Sequence, residues 1–447
     1  MKKFIKNISI IFIIFTIFNF PVNAKFQPSF EINAQSAYMV NLDTGLVVYE
    51  KNAHEKRSPA STTKIMTALL LYESTNDLAN TIISTPGNSF YAVEIDPIYN
   101  DGTNANIKRN SEISAEVLMY SMMAASANDS SSIVANYLGD GNLDNFYAMM
   151  NGRAKQLGAK NTNFSNPHGF FGIENNHYTT AYDLFLIAQE AYNTKGFMKY
   201  TEVVNSYQMP NGEYLRATNE MQKTSSYVYD SRVKGIKTGS TPEAGYNFVS
   251  TATDGKYTYM LVVLGAYGTT EIEGYTYGNS FIDTKNLYDW AFDSFSVAPV
   301  MDTTRPIEQI ALMFNSEQDT LKLYPQTDFK TLLPNESDGT VVLKEFDIPE
   351  IVAAPVKKGD VIGTIKLSIS DEYLGKVLLI ANEDVERTDH LYYMYHFNNF
   401  FSSMYFKVIL SILGLFVLFY GSFTFIKYKK YVKSSAVIRK NKKDGYR

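Results

Sequence analysis

Three short motifs bring together residue types that can carry out nucleophilic chemistry. In chain order they are Ser61 with Lys64, Ser126 with Asn128, and Lys237-Thr238-Gly239. Residues three apart share a face of a helix, so the Lys64 amine can reach the Ser61 hydroxyl. A free serine is a poor nucleophile, and lysine can act as its base when burial or nearby positive charge lowers the lysine pKa. The first motif therefore predicts a serine activated by an amine.

The order of the three motifs is more specific than any one of them. Alone, Ser61 and Lys64 also fit a capped helix with a solvated lysine, and Ser126 and Asn128 fit polar residues within a helix. Together, S-x-x-K, S-x-N and K-T-G, with roughly 60 and 110 residues between them, form the signature of penicillin-recognising serine enzymes.

The segments around these motifs resemble one family. They include "DTGLVVYEKNAHEKRSPASTTKIMTALL", "NFSNPHGF", "HYTTAYDL", "GIKTGSTPEAGYNF" and the late "PVKKGDVIGTIKL". The chain is similar to serine-type D-alanyl-D-alanine carboxypeptidases, the low-molecular-mass penicillin-binding proteins. The resemblance implies a transpeptidase/β-lactamase-like fold, a peptidoglycan stem-peptide substrate and β-lactams as covalent inhibitors. It implies no metal or organic cofactor.

The same resemblance implies catalytic roles. Ser61 would be the acylated nucleophile, Lys64 its general base, and Ser126 a proton relay to the leaving amine. The backbone N–H groups of Ser61 and Ser240 would form the oxyanion hole.

Substrate-binding roles follow in the same way. Asn128 would hold the peptide amide, Lys237 would supply positive potential, and Thr238 would bind the terminal carboxylate. Gly239, without a side chain, would let an extended substrate pair with the strand edge.

Two positions depart from the family pattern. Family members often carry an arginine just before the "F-x-D-T" segment and another between two asparagines, where this chain has Ser280 and Thr218. If those arginines hold the terminal carboxylate, Thr238, Lys237 or Arg216 must hold it here.

Other functions use the same motifs. A β-lactamase would need a deacylating carboxylate, and Glu190 in "EAYN" has the wrong spacing and ends a helix. A D,D-endopeptidase would use the same catalytic groups. A catalytically weakened wall-binding ectodomain would account for the two missing arginines. Among the five histidines no zinc spacing occurs, and His168 and His177 are predicted to be structural residues in loops.

Composition and length predict two folded domains. The chain has 447 residues, 45% hydrophobic and 19% charged. It contains no cysteine, which excludes disulfides, thiol nucleophiles and cysteine-ligated zinc.

Both ends of the chain predict export and anchoring. Residues 1–24 have a basic start, a short apolar run and small residues at Val22 and Ala24, as in a signal peptide cleaved after Ala24, although an uncleaved anchor is the alternative. Residues 408–426 carry no charge and can cross a bilayer, with a buried core helix as the alternative. The tail 427–447 has nine Lys or Arg and one Asp, which predicts a cytoplasmic location.

The predicted exported part is acidic. Without the three basic residues of the signal and the charges of the tail, 29 basic residues remain against 45 acidic ones, a formal charge of about −16. Nucleic acid is therefore not an expected partner.

The element pattern predicts an α+β domain at 25–299. Strands are expected at 36–42 and 46–50 around Asp43-Thr44-Gly45, with helices from Ser61, at 114–138 and at 180–192. Strand signals return in "GYNFVSTAT" and "YTYMLVVLGAY", followed by a helix in "DTKNLYDWAFDSF". An antiparallel sheet with an inserted helical lobe follows from this order.

Residues 300–390 read as a small β-sandwich that acts as a spacer. Five short β-runs occur there, and Ile365, Leu367 and Ile369 alternate with polar residues, as in a strand buried on one face.

Overall fold

A computed structural model of the protein describes residues 27–96, 102–170, 176–335, 337, 341–369 and 372–444. The predicted signal peptide, 1–24, lies outside the described residues. The chain divides into two compact units, Met1–Ala298 with Thr331–Asp338, and Pro299–Lys330 with Gly339–Arg447.

The first unit contains eleven strands and six longer helices among its described residues. The strands are β1 (Ala34–Asn41), β2 (Val47–Lys51), β3 (Ile82–Ser84), β4 (Glu112–Ser114), β5 (Ser206–Gln208), β6 (Tyr214–Arg216), β7 (Val233–Thr241), β8 (Gly245–Thr253), β9 (Thr258–Ala266), β10 (Thr269–Ile272) and β11 (Tyr275–Gly278). The helices are α1 (Lys64–Glu73), α2 (Ala115–Met123), α3 (Asn128–Leu138), α4 (Leu143–Gln156), α5 (Ala181–Asn193) and α6 (Asn279–Ser294). Shorter helical turns cover Ala60–Thr63, Asn88–Phe90, Tyr91–Ile95, Met198–Tyr200 and Glu220–Gln222.

A five-stranded antiparallel sheet forms the centre of this unit, in the order β2-β1-β9-β8-β7. Early and late segments of the chain therefore close one sheet, as predicted. The middle strand β9 is a nearly continuous apolar run because both of its faces are buried. Val262 and its even-numbered neighbours join the core of the helical lobe, whereas the Tyr259 ring packs on Phe292 of α6 with ring centroids 4.9 Å apart.

The predicted hairpin is confirmed as β1 and β2, and α5 lies within one residue of its predicted bounds. The prediction of one helix over 114–138 is wrong. Two helices occur instead, because Ser126 between them adopts a left-handed φ of 66° that no α-helix can contain. Ser114 caps α2 by accepting a hydrogen bond from Val117 N at 3.3 Å.

The second unit is rich in β-structure, as predicted. Around and within it the structure describes β12 (Phe295–Met301), β13 (Glu308–Met313), β14 (Thr320–Pro325), β15 (Phe329–Pro334), β16 (Leu343–Asp347), β17 (Ile351–Ala353), β18 (Val361–Ile369) and β19 (Glu372–Ala381). Six of these strands form one sheet, in the order β16-β18-β19-β14-β13-β17. Ile365, Leu367 and Ile369 of β18 are buried, and Lys366 is exposed, so the predicted alternation is confirmed.

Two helices follow the sheet, α7 (Asp389–Ser402) and α8 (Met404–Asp444). Within α8, Met404–Ala436 is long and apolar enough to cross a membrane, and none of its apolar window is buried in the protein. The predicted membrane segment, 408–426, lies inside this stretch.

Candidate active site

Ser61 and Lys64 lie at the start of the first helix. Ser61 is in the tight turn Ala60–Thr63, and Lys64 is the first residue of α1. Ala60 has a left-handed φ of 48°, a conformation that non-glycine residues keep only when their surroundings impose it. The Lys64 side chain is fully buried, and its Nζ lies 2.8 Å from Ser61 Oγ.

Two further oxygens surround the same amine. Lys64 Nζ donates to Asn128 Oδ1 at 2.7 Å and to the His168 carbonyl at 2.9 Å. Burial lowers the pKa of Lys64 well below its usual range, and the charge of Lys237 lowers it further, while Asp129 opposes this. Burial and the Lys237 charge both favour the neutral amine, the form that can accept a proton.

Lys237 provides the neighbouring positive charge. It lies on β7, is 1% exposed, and donates through Nζ to the Thr238 carbonyl at 3.0 Å. Burial lowers the pKa of Lys237 to about 7.

The break between α2 and α3 positions the second motif. The left-handed backbone at Ser126 interrupts the helix, and Asn128 then begins α3 with its own N–H donating to the Thr103 carbonyl at 2.8 Å. The buried Asp129 carboxylate fixes the adjoining loop by accepting from Ala105 N at 3.0 Å and Ile107 N at 3.1 Å.

Gly239 brings strand β7 against the Ser61 turn. A Cβ at this position would lie 2.9 Å from Ser61 N, a distance that Cβ atoms essentially never show, and 3.0 Å from Thr62 N. Only glycine allows this approach. Because β7 is at the edge of the five-stranded sheet, a peptide could pair alongside it next to Ser61.

A cleft of about 240 Å³ opens over these residues. Five of the predicted site residues line it: Ser61, Ser126, Thr238, Gly239 and Ser240. The other three predicted residues, Lys64, Asn128 and Lys237, are buried and bond to atoms around the cleft. The structure thus brings all eight together.

The two positions that depart from the family pattern also line the cleft. Thr218 Oγ1 lies 2.6 Å from Thr238 Oγ1, and Ser280 is 2% exposed in the first turn of α6. Arg216 does not line the cleft. Its side chain is 81% exposed and pairs with Glu220 at 3.4 Å.

Four residues of the cleft wall were not predicted: Thr103, Tyr246, Asn247 and Phe281. Asn247 joins two segments, since its Nδ2 donates to the Ser58 carbonyl at 2.9 Å and its Oδ1 accepts from Gly265 N at 2.8 Å. Its place in "EAGYNF" beside the third motif was the available signal. No sequence signal marks the His168 carbonyl as a partner of Lys64, because every residue has a carbonyl group.

The two histidines near the site are structural, as predicted. His177 Nδ1 accepts from Ser165 N at 3.0 Å, so the ring proton is on Nε2, which contacts Thr63 Oγ1 at 2.8 Å. Burial lowers the pKa of His177 to about 3 and that of His168 well below its usual range.

Glu190 does not line the cleft. It pairs with Arg153 at 2.6 Å, and Arg153 also binds Glu73. The carboxylate is therefore occupied in a structural ion pair, in keeping with the argument against a β-lactamase.

Comparison with known proteins places the chain in one family. The model of the D-alanyl-D-alanine carboxypeptidase family, Peptidase S11, matches residues 22–268, which is more than half of the chain. The chain belongs to this family. A second model, that of the penicillin-binding protein 5 C-terminal domain, matches residues 307–387.

The similarity to individual carboxypeptidases extends over most of the chain. The D-alanyl-D-alanine carboxypeptidase DacF of Bacillus subtilis is 29% identical over 364 residues, which is 81% of this chain and 88% of DacF. DacA of Escherichia coli K12 is 25% identical over 79% of this chain and 84% of DacA. The solved structure of penicillin-binding protein 5 from Haemophilus influenzae, 24% identical, shares the fold with a TM-score of 0.59 over 81% of this chain and all of that one.

These findings confirm the α+β transpeptidase-like fold and the β-rich domain after it. The protein is a serine-type D-alanyl-D-alanine carboxypeptidase, a hydrolase of peptide bonds.

Proposed function

We propose that Ser61 is the nucleophile of this carboxypeptidase and that Lys64 removes its proton. The observation that supports this most directly is the buried Lys64 amine, 2.8 Å from Ser61 Oγ. Asn128 Oδ1 and the His168 carbonyl accept hydrogen bonds and cannot donate them. A neutral amine has two N–H groups, which these two oxygens take. Its lone pair is then left for the Ser61 proton.

The reaction follows from this geometry. Ser61 Oγ attacks the carbonyl carbon between the two terminal D-alanyl residues, and its proton passes to Lys64 Nζ. The Ser61 and Ser240 backbone N–H groups would stabilise the oxyanion. The C–N bond breaks as the proton reaches the leaving nitrogen by way of Ser126. Water then hydrolyses the ester, and the shortened peptide leaves.

The remaining predicted residues would hold the substrate. Asn128 and Lys237 both act at the back of the cleft, Asn128 on the substrate amide and Lys237 through its charge. Thr238 and Gly239 belong to the strand edge along which an extended peptide would lie. The substrate is the stem peptide of peptidoglycan, and β-lactams would acylate the same serine.

We also propose how the protein is anchored. Helix α8 would cross the membrane once, with residues 25–299 and the β-rich residues 300–390 outside the cell and the basic residues 427–447 in the cytoplasm. The apolar stretch Met404–Ala436 and the positive charge after it support this orientation.

Mass spectrometry after exposure to penicillin tests the central assignment. The modified peptide should contain Ser61, and Ser61→Ala should abolish both the labelling and the release of D-alanine from a stem pentapeptide. Label on another residue would overturn the assignment. Labelling without D-alanine release would favour a wall-binding protein, and rapid turnover of the antibiotic would favour a β-lactamase.

A further inference from the structure

The cleft has no charged side chain among the described residues that line it. All eleven are neutral, including Thr218 and Ser280. The nearest cation, Lys237, is buried with its Nζ on the Thr238 carbonyl. Residues 97–101 and 171–175, outside the described ranges, contain no Lys or Arg in the sequence. A substrate carboxylate in the cleft would therefore meet no guanidinium in the structure as described.

The two threonine hydroxyls bond to each other in the cleft. Thr218 Oγ1 lies 2.6 Å from Thr238 Oγ1 and 3.3 Å from the Ala124 carbonyl oxygen. Each hydroxyl has a single proton, and one of the two protons is used between them whichever oxygen donates. The pair therefore offers a substrate carboxylate at most one O–H group and no charge.

The first turn of α6 is the remaining source of positive potential at the wall. Ser280 and Phe281 of that turn line the cleft, and α6 has no side-chain cap at Gly278. A helix N-terminus favours an anion by up to about fivefold, whereas a bidentate guanidinium is worth about ten- to a hundredfold.

We propose that Thr218, hydrogen-bonded to Thr238 in this neutral cleft, makes the carboxypeptidase nearly indifferent to a free carboxylate after the scissile bond. Its substrates then include peptides that end in D-alaninamide and peptides that continue beyond the second D-alanyl residue. In these, the same C–N bond breaks and D-alaninamide or a longer amine leaves. This inference rests on the proposed function, because it concerns the subsite next to Ser61.

The ratio of kcat/KM for diacetyl-L-lysyl-D-alanyl-D-alanine to that for its C-terminal amide tests the inference. We expect a ratio below about tenfold for the natural protein and a rise of about tenfold or more in Thr218→Arg, from faster cleavage of the acid. Should Thr218→Arg fail to fold, Ser280→Arg places a guanidinium on another element of the cleft wall, the first turn of α6, and should also raise the ratio. Thr218→Ser keeps a hydroxyl and should leave the ratio unchanged.

A binding measurement separates this inference from the catalytic assignment. Calorimetry of Ser61→Ala with the acid and the amide needs no turnover, and the two dissociation constants should differ by less than about tenfold. An acid that binds a hundredfold tighter would overturn the inference whatever the nucleophile is. Arg216→Ala is the matched control, and loss of acid binding in that variant would assign the carboxylate to Arg216 and also overturn it.

Discussion

The side-chain oxygen of Asn128 lies 2.7 Å from Lys64 Nζ, although the two residues are 64 positions apart in the sequence. The contact orients the amine without adding charge, because an amide is neutral. Asn128 therefore fixes the direction of the Lys64 lone pair and leaves the pKa of Lys64 low.

Asn128→Asp should raise the low pKa of Lys64, because a carboxylate at this distance favours the charged amine. The acidic limb of the kcat/KM profile should move to higher pH, which a pH series of D-alanine release would measure. Asn145→Asp, with the same charge change at an exposed position of α4, should leave the limb in place. A shift of equal size in both variants would contradict a local effect.

Lys64→Arg should remove the base while keeping a positive group. A guanidinium stays protonated and cannot take the Ser61 proton. We expect acylation by a fluorescent penicillin to slow by about 10²–10⁴-fold. Lys234→Arg, at an exposed position of β7, provides the control and should label at the normal rate. Normal labelling of Lys64→Arg would rule out Lys64 as the base.

The alkaline limb of the profile should come from Lys237. Burial lowers the pKa of Lys237 to about 7, so its charge is present below that pH and lost above it. This charge supplies positive potential beside the cleft, where negative charge develops on the oxyanion, so kcat/KM should fall as the pH rises through about 7. Because the oxyanion is the same for both substrates, the acid peptide and the amide peptide should show the same alkaline limb. A limb seen with the acid peptide alone would contradict this assignment.

Acid should destabilise the first unit through its buried histidines. The pKa of His177 is lowered to about 3 in the fold, below the ordinary value of 6.5. The unfolded chain therefore binds the proton first, and stability is complete above 6.5 and is lost as the pH falls toward 3. Each such proton changes the free energy of unfolding by about 1.4 kcal/mol per pH unit.

Urea unfolding of the full chain in detergent, followed by fluorescence of the single tryptophan, Trp290, measures this slope. His177→Gln should flatten it, and His54→Gln, at an exposed position, should not. An unchanged slope in His177→Gln would contradict the assignment.

The absence of cysteine allows a direct test of membrane orientation. Ser434→Cys in the tail should react with an impermeant maleimide only after the cells are opened. Ser231→Cys, on the exposed surface of the first unit, should react in intact cells. Labelling of both in intact cells would contradict a cytoplasmic tail.

Local patterns in the sequence predicted most of the sheet and the motif residues. The run "YTYMLVVLGAY" contains β9, Thr258–Ala266, because a strand buried on both faces needs a nearly continuous apolar segment. The helix α4, Leu143–Gln156, was not predicted. Only three of its residues, Phe146, Met150 and Ala154, are buried, and the continuous apolar run at 146–150 hides their helical spacing.

Other features depend on tertiary contacts that no local pattern records. The break at Ser126 is one, because nothing in "AASAND" requires a left-handed serine. The approach of the His168 carbonyl to Lys64 is another, since it joins residues 104 positions apart. The predicted roles of the eight site residues and the predicted domain boundaries stay predictions until the experiments above are done.

The close approach of Gly239 to the Ser61 turn bears on how antibiotic resistance could arise in this enzyme. The atoms that face Gly239 there belong to the main chain of Pro59, Ser61 and Thr62, and a point mutation cannot remove them. Substitution of Gly239 itself would displace the nucleophile and cost the cell the enzyme. Variants that exclude a drug but keep the natural peptide should therefore be sought among the other residues that line the cleft, such as Thr103, Thr218 and Ser280.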